Sequence, residues 1–68
     1  MNKLRTIRES KGISQLQLSR TSGVAAHIIS NIETGKIFPY PNWRKNLAEA
    51  LKVKEKILFP EVDKNENK

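Results

Sequence analysis

The sequence predicts an all-α fold of five short helices, and three observations support this prediction. Apolar residues recur at helical spacing, and no stretch alternates apolar with polar residues as a half-buried strand would. The three glycines, Gly12, Gly23 and Gly35, each fall just past a predicted helix end, where a left-handed residue closes a helix. Ser14 and Gln17 have the spacing of a capping box, which satisfies two free amide groups at a helix start. Agreement between independent local signals is stronger evidence than any one of them.

The composition indicates one small domain with a helix-packed core. A chain of 68 residues buries a limited core, and the absence of cysteine excludes disulfides and thiolate zinc sites. The chain carries 13 basic and 7 acidic residues, a net charge of +6. Residues 1–60 alone carry 11 basic and 4 acidic residues, a net charge of +7. This balance suits a polyanionic partner, although charge alone is equally compatible with a merely soluble basic surface.

The first helix is predicted to run from a cap at Asn2 to about Lys11. Leu4 and Ile7 have the spacing of one helix face and are expected to point into the core. Gly12 ends this helix, and the isoleucine after it is expected to pack back onto it.

Two short helices joined by a glycine turn are predicted between Ser14 and Gly35. The second helix begins at the capping box and ends at the glycine turn. The third helix is predicted from about Ala26 to Thr34, with Ile29 and Ile32 on its inner face. Helix, tight glycine-containing turn, helix is the arrangement of DNA-binding helix-turn-helix proteins. The rest of the chain is expected to support this pair.

The C-terminal part is predicted to form two more helices. Pro41 suits the first turn of the fourth helix, because its missing amide hydrogen costs nothing there. The apolar residues of the fourth helix at helical spacing are Trp43, Leu47, Ala50 and Leu51. A fifth helix from about Lys54 to Phe59 contributes Ile57 and Leu58.

Residues 1–60 are thus predicted to form the domain, and residues 61–68 a polar, disordered tail. No secretory signal or membrane-spanning segment is visible, so a cytoplasmic location is expected. The chain has no paired nucleophile and base, no metal-ligand spacing and no glycine-rich phosphate loop. We therefore expect no enzyme activity, metal, cofactor or small-molecule ligand. The helices also expose too little apolar surface to predict membrane binding.

Six short motifs occur in a specific order and spacing. They are Leu-Arg-Thr-Ile-Arg (4–8), Ile-Ser-Gln-Leu-Gln-Leu-Ser (13–19), Gly-Val (23–24), Ile-Ser-Asn-Ile-Glu-Thr-Gly-Lys (29–36), Leu-Ala-Glu-Ala-Leu-Lys-Val (47–53) and Leu-Phe-Pro (58–60). Together they resemble the Cro/phage-repressor type of helix-turn-helix domain, also called the XRE family, over about residues 4–60. The resemblance implies a five-helix, phage-repressor-like DNA-binding domain. Helices 2 and 3 would form the helix-turn-helix, and helix 3 would enter the major groove of double-stranded DNA.

Five residues are predicted to contact bases, four by their match to the family and Ser30 by its place on the outer face of the third helix. They are Ala25, Ala26, His27, Ser30 and Asn31. Asparagine can bond adenine through both its acceptor and its donor, and alanine can pack on a thymine methyl. Histidine can donate to a guanine or a phosphate. No arginine lies on this face, so we expect modest base readout that favours A·T pairs. The alternative for His27 and Asn31 is a solvated polar side chain without a partner.

Five residues are predicted to contact DNA phosphates: Ser14, Gln15, Thr34, Lys36 and Arg44. Gln15 matches the family residue that grips a phosphate at the start of the second helix, with capping support as the alternative. Thr34 and Lys36 match backbone contacts just beyond the recognition helix. Ser14 is a cap first and a phosphate contact second. Arg44 flanks the third and fourth helices, where phosphate contacts set orientation without reading sequence.

Arg8 and Glu33 match a family pair that forms an internal salt bridge between the first and third helices. Three other positions depart from the family pattern. Ala25 stands where serine or threonine often caps the recognition helix, a loss that typically costs about 1 kcal/mol. Lys52 replaces a glycine after the fourth helix, and Lys54 replaces a capping serine at the fifth. Strain or a different helix end is therefore expected in the C-terminal half.

The sequence therefore predicts a sequence-specific, double-stranded-DNA-binding transcriptional regulator, most simply a repressor. The family usually binds as a two-fold dimer, with recognition helices about 34 Å apart. Val53, Ile57 and Phe59 of the last helix are the predicted homodimer contacts. The alternative is a protein-interaction module of the same fold that binds a regulator, a toxin or a polymerase subunit. The uncapped start of the third helix keeps this alternative open, and the basic balance of residues 1–60 argues against it.

Overall fold

The computed structural model describes residues 2–60 and 62, which form five α-helices and no strand. The helices are α1 (Leu4–Ser10), α2 (Gln15–Ser22), α3 (Ala26–Glu33), α4 (Pro41–Leu51) and α5 (Glu55–Leu58). The all-α prediction is therefore confirmed. The predicted tail, residues 61–68, lies outside the described residues except for Val62, which is partly buried against the core. The amide of Val62 donates to the carbonyl of Phe59 at 3.1 Å.

Asn2 ties the start of α1 to the end of α3. Its Oδ1 accepts a hydrogen bond from the amide of Leu4 (3.0 Å), and its Nδ2 donates to the carbonyl of Ile32 (2.9 Å). The helix itself begins at Leu4, with Lys3 in the cap position, so the predicted start at Asn2 is early by one residue. Asn2 therefore supports the helix start through its side chain while it also joins two helices.

The capping box and the glycine turns are confirmed. The Oγ of Ser14 accepts from the amide of Gln17 (3.0 Å), and the Oε1 of Gln17 accepts from the amide of Ser14 (2.8 Å). All three glycines have positive φ, between 70° and 80°. Left-handed backbone is cheap for glycine because it has no Cβ, so these residues end α1, α2 and α3 where the sequence predicts.

The core draws at least one residue from every helix. Its buried apolar residues are Leu4, Leu18, Val24, Ile29, Ile32, Leu47, Ala48, Leu51, Leu58 and Phe59. Helix α2 packs against both α3 and α4, and α4 packs against α5. Each fully buried leucine, isoleucine or phenylalanine stabilises the fold by roughly 1.5–3 kcal/mol relative to leaving it exposed. The core is therefore the main source of stability for this cysteine-free chain.

Helix α4 ends at Lys52 in a left-handed conformation, which is the strain expected where a lysine replaces the glycine of the family pattern. Lys52 has φ 59° and ψ 41°, and it is the non-glycine residue of the described chain with positive φ. The amide of Val53 then donates to the carbonyl of Ala48 at 3.0 Å, which closes the helix. An L-residue in this conformation costs roughly 1–2 kcal/mol, because its Cβ crowds the following carbonyl. The helix thus ends in the left-handed conformation that glycine usually supplies, and Lys52 carries the strain.

Helix α5 is short, and the burial of Phe59 after it differs from the prediction. It covers four residues and begins at Glu55, and the cap residue Lys54 makes no side-chain capping bond. Phe59 is 2% exposed and belongs to the core, whereas Ile57 is 45% exposed. Phe59 is therefore wrong as a dimer contact, because the ring that would meet a partner fills the interior of its own domain. Val53 is partly buried and Ile57 is exposed, so both remain on or near the surface.

Candidate nucleic-acid interface

Helices α2 and α3 form a helix-turn-helix whose second helix has one buried face and one open face. Ile29 and Ile32 are completely buried, and Ile28 is partly buried against the same core. The tight turn between the helices contains Gly23 with φ 77°. Burial of one stripe fixes how the helix is rotated, so the opposite side chains are presented to solvent in a defined order.

The open face carries all five residues predicted to contact bases. Ala25 and His27 are exposed, while Ala26, Ser30 and Asn31 are half-buried. These side chains are small or polar, so another surface can approach the helix backbone closely. The backbone of Ala25 is extended, and no side chain caps the helix at this position, as expected from the alanine. The carbonyl of Ala25 accepts from the amides of Ile28 and Ile29, both at 3.0 Å.

A buried polar network joins α1 to the end of α3. The Nε of Arg8 donates to Oε2 of Glu33 (2.7 Å), and its Nη2 donates to Oε1 (3.2 Å). The remaining fork nitrogen, Nη1, donates to the carbonyl of Ile13 (2.7 Å). Both charged residues are buried, and the predicted salt bridge between them is present. The hydrogen bond to Glu33 raises the pKa of Arg8 above its ordinary value, although burial acts in the opposite direction.

Gln15 is a third member of this network. Its Nε2 donates to Oε1 of Glu33 at 2.9 Å, so the first residue of α2 is joined to the last residue of α3. One N–H of the amide is used in this bond, which leaves the second N–H and the carbonyl oxygen for another partner. Gln17, not Gln15, completes the capping box, so capping support is not the role of Gln15. Sequence reasoning did not foresee the bond to Glu33, since the two residues are 18 positions apart.

Four of the five predicted phosphate-contacting residues gather around this junction. Ser14 and Gln15 begin α2, and Thr34 and Lys36 follow Glu33. Ser14, Thr34 and Lys36 are exposed. The Oγ1 of Thr34 donates to the carbonyl of Ser30 (3.0 Å), and the amide of Lys36 donates to the carbonyl of Asn31 (2.8 Å). Lys36 thus follows the end of α3, and Gln15 is bonded to the last residue of that helix.

Arg44 does not belong to this group, which corrects the prediction of a phosphate contact. It is 4% exposed, and its Nη1 donates to the carbonyl of Pro39 at 2.6 Å. Its Nε donates to Oε1 of Glu55 at 3.4 Å. A guanidinium enclosed in this way cannot reach a phosphate without leaving the core. The signal was present in the sequence, because Arg44 falls on the same helical stripe as the buried Leu47 and Leu51.

An exposed aromatic group follows α3. Phe38 is 45% and Tyr40 is 57% exposed, and their rings meet edge to face with centroids 5.0 Å apart. Tyr40 meets Trp43 in the same manner at 5.8 Å, while Trp43 is partly buried against the core. The partial burial of Trp43 fits its helical spacing with Leu47 and Leu51. Phe38 was missed, because an isolated aromatic residue in a proline-containing loop gives no periodic signal.

The described residues lack two other kinds of feature. Within residues 2–60 and 62, no helix is long and apolar enough to cross a membrane. The same residues contain no group of three or more histidine, cysteine, aspartate or glutamate side chains that could hold a metal ion.

The fold and the open face of α3 define a helix-turn-helix domain, and comparison with known proteins agrees. A family model described as "Helix-turn-helix domain" matches residues 1–64, so the chain belongs to this family. Over 51 residues it is 49% identical to the HTH-type transcriptional repressor RghR of Bacillus subtilis (strain 168). The matched segment is 74% of this chain but 38% of RghR, so the chain spans well under half of that relative. No solved structure matches significantly. The family and this relative together support a DNA-binding regulator.

Proposed function

We propose that the domain represses transcription by inserting α3 into the major groove of double-stranded DNA. The observation that supports this best is the division of α3 into a fully buried face and an open face of small and polar side chains. The major groove of B-DNA is wide enough to admit one α-helix, and small side chains let the helix approach base edges closely. The name of RghR supports the repressor role, since that relative is described as a repressor.

The open face of α3 reads bases in this proposal. Asn31 offers one acceptor and donors on a single amide, which can pair with the N6 and N7 positions of adenine. The methyl groups of Ala25 and Ala26 suit the methyl group of thymine. His27 is exposed and can donate to a guanine or a phosphate, and Ser30 adds a hydroxyl group. No arginine lies among these five side chains, so we propose a site in which A·T pairs prevail at the contacted positions.

The junction between α2 and α3 holds phosphates. Gln15 donates its second amide N–H, while its bond to Glu33 keeps that amide from rotating. Lys36 supplies a charge just beyond α3, and the hydroxyl group of Ser14 donates a hydrogen bond. Thr34 donates to a phosphate only when its hydroxyl hydrogen turns away from the carbonyl of Ser30. The net charge of +7 on residues 1–60 provides the sequence-independent attraction that such contacts need. Arg44 has no part in this surface.

Two copies of the domain bind one operator through recognition helices about 34 Å apart in this proposal. Ile57 and Val53 are the remaining candidates for contact between copies, because Phe59 fills the core. Ile57 alone among them is strongly exposed, at 45%. Such a small apolar patch suits a weak contact, since stable interfaces bury about 800 Å² per partner.

The test is selection of duplexes from a randomised pool by the purified full chain at physiological salt. We expect an enriched inverted repeat rich in A·T pairs, and Asn31→Ala should relax the preference at one position of each half-site. Lys45→Ala, an exposed residue on α4, serves as the control for handling and charge. An enriched single half-site would contradict the dimer but not groove insertion. Recovery without any sequence preference would overturn sequence-specific binding.

A second function is supported by the exposed aromatic residues Phe38 and Tyr40, which favour a protein partner. In this alternative the same fold binds a regulator, a toxin or a polymerase subunit through that group. Failure of the full chain to recover any duplex, together with loss of partner binding in Phe38→Ser, would favour the alternative. Loss of DNA binding in Gln15→Ala combined with Asn31→Ala would favour the first proposal.

A further inference from the structure

Arg44 joins three segments of the chain from a buried position. It lies on α4, its Nη1 donates to the carbonyl of Pro39 in the preceding loop (2.6 Å), and its Nε donates to Glu55 at the start of α5 (3.4 Å). The arginine is 4% exposed, whereas about half of the Glu55 side chain remains accessible. A charged group held inside a small core calls for a reason other than packing.

Stability is not a sufficient reason for a buried arginine. Desolvation of a buried ion pair often cancels its electrostatic attraction, and apolar residues of similar volume can replace such pairs without loss. Arg44 occupies the inner stripe of α4 with Leu47 and Leu51, where a leucine would fill the same space. A leucine, however, has no N–H groups, while the planar guanidinium donates in several fixed directions. What Arg44 contributes beyond packing is therefore a set of hydrogen bonds that fixes the position of neighbouring segments.

The segment that Arg44 holds is the α3–α4 loop, residues 36–40. At the start of the loop, the amides of Lys36 and Ile37 donate to the carbonyl of Asn31 at 2.8 and 3.4 Å. At its end, Pro39 has no N–H of its own, so its carbonyl is the group that a side chain can bond. That carbonyl accepts from Arg44, and Pro39 itself is buried. The loop is thus fastened at both ends.

We propose that Arg44 is a positioning residue for DNA binding, which fixes the α3–α4 loop against α4 and α5 without touching DNA. This inference rests on the proposed function, because the loop carries Lys36, the proposed phosphate contact. A loop that is already ordered loses less conformational freedom on binding than one that must be ordered at that moment. The bond to Glu55 extends the same restraint to α5, so one side chain sets the loop and the last helix relative to each other.

The test compares Arg44→Leu and Arg44→Lys with the wild-type full chain, using the duplex recovered by selection. Both variants should bind about threefold to tenfold more weakly, the range expected for a few side chains that must be ordered on binding. Affinity is measured across a salt series. The slope of log affinity against log salt in Arg44→Leu should equal the slope in Lys45→Gln. Lys45→Gln is the matched control, because it removes an exposed charge from the adjacent position. Arg44→Lys separates charge from geometry, because lysine keeps the charge but lacks the planar fork.

Trp43 provides a readout that does not depend on DNA. It is the single tryptophan of the chain, and Tyr40 in the loop lies against it at 5.8 Å. If Arg44 holds the loop, both Arg44 variants should shift Trp43 emission to the red and increase its quenching by iodide. Urea unfolding of the same samples shows whether the variants are folded. Should Arg44→Leu fail to fold, Arg44→Lys and Glu55→Ala take its place. Glu55→Ala, which removes the bond between Arg44 and α5 but keeps the bond to Pro39, should give the same changes at a smaller size.

Three results separate the inference from its alternatives. The slope of log affinity against log salt could become shallower in Arg44→Leu than in Lys45→Gln by about 0.9. This result would reveal a direct phosphate contact of Arg44 and overturn the positioning role. Binding and Trp43 emission like those of wild type in folded Arg44 variants would overturn it too. If wild type binds no duplex, the proposed function fails, and the DNA part of this inference fails with it. Trp43 emission would still decide whether Arg44 orders the loop.

Discussion

Gln15 donates a side-chain hydrogen bond to Glu33 at 2.9 Å, and this contact joins the start of α2 to the end of α3. Glu33 is held in turn by two bonds from Arg8. A phosphate bound by Gln15 would therefore be placed relative to α3 by a buried, charge-assisted network. Charge-assisted bonds are stronger than neutral ones, so the orientation of the Gln15 amide is well defined.

Glu33→Ala should destabilise the domain by about 3–5 kcal/mol, because it leaves the buried charge of Arg8 without its partner. Urea unfolding of the full chain measures the free energy. The double variant Arg8→Met with Glu33→Leu removes both charges at similar volume and should recover most of the loss. A double variant no more stable than Glu33→Ala would show that the pair does more than neutralise itself.

Substitutions at Lys36 and at Gln15 should weaken DNA binding in different ways. Lys36→Gln removes a charge from a proposed phosphate contact, so the slope of log affinity against log salt should become shallower by about 0.9. Gln15→Ala removes an uncharged donor, so affinity should fall while the slope stays the same. Fluorescence anisotropy at four or more salt concentrations measures both. An unchanged slope in Lys36→Gln would remove Lys36 from the proposed contacts.

Lys52→Gly should raise the free energy of unfolding by about 0.5–1 kcal/mol. Glycine relieves the roughly 1–2 kcal/mol cost of an L-residue at φ 59°, and its greater freedom in the unfolded chain offsets part of the gain. Lys52→Ala is the matched control, because it removes the charge but keeps the Cβ. Equal stability of the two variants would mean that any gain came from losing the lysine side chain.

Ala25→Thr should be more stable than Ala25→Val by about 1 kcal/mol, since only threonine can cap α3 with a side-chain oxygen. The two side chains have the same shape, so the difference between the variants isolates the hydrogen bond. The extended backbone of Ala25 suits this role. Thermal and urea unfolding check the difference. Variants of equal stability would indicate that the threonine oxygen does not reach the free amides of α3.

Truncation of Phe59 should change the stability of the domain far more than truncation of Ile57. Phe59→Ala should cost about 3–5 kcal/mol because it opens a cavity in the core, whereas the exposed Ile57→Ser should change stability by about 0.5 kcal/mol or less. Unfolding by urea distinguishes them. Sedimentation of Ile57→Ser with and without operator DNA tests the proposed contact between copies. Identical pairing of Ile57→Ser and wild type would exclude Ile57 from that contact.

Features set by residues close together in the chain could be predicted without the structure. The capping box of Ser14 and Gln17 and the glycine helix ends depend on backbone conformation within a few residues, so local sequence carries the information. The inward stripe of Ile29 and Ile32 follows from helical spacing in the same way. The salt bridge of Arg8 and Glu33 was predictable from the family resemblance, although not from spacing.

The positions of Gln15, Arg44 and Phe59 depended on how distant segments pack. Gln15 meets Glu33, 18 residues away, and Arg44 meets both a loop carbonyl and the next helix. Phe59 turns into the core while its neighbour Ile57 turns to solvent, and a four-residue helix has too few turns to reveal its buried face by periodicity. Burial is a property of the assembled domain, where a side chain is enclosed by whatever other segments bring to it. A basic residue such as Arg44 is therefore enclosed by segments whose positions are known only from the tertiary structure.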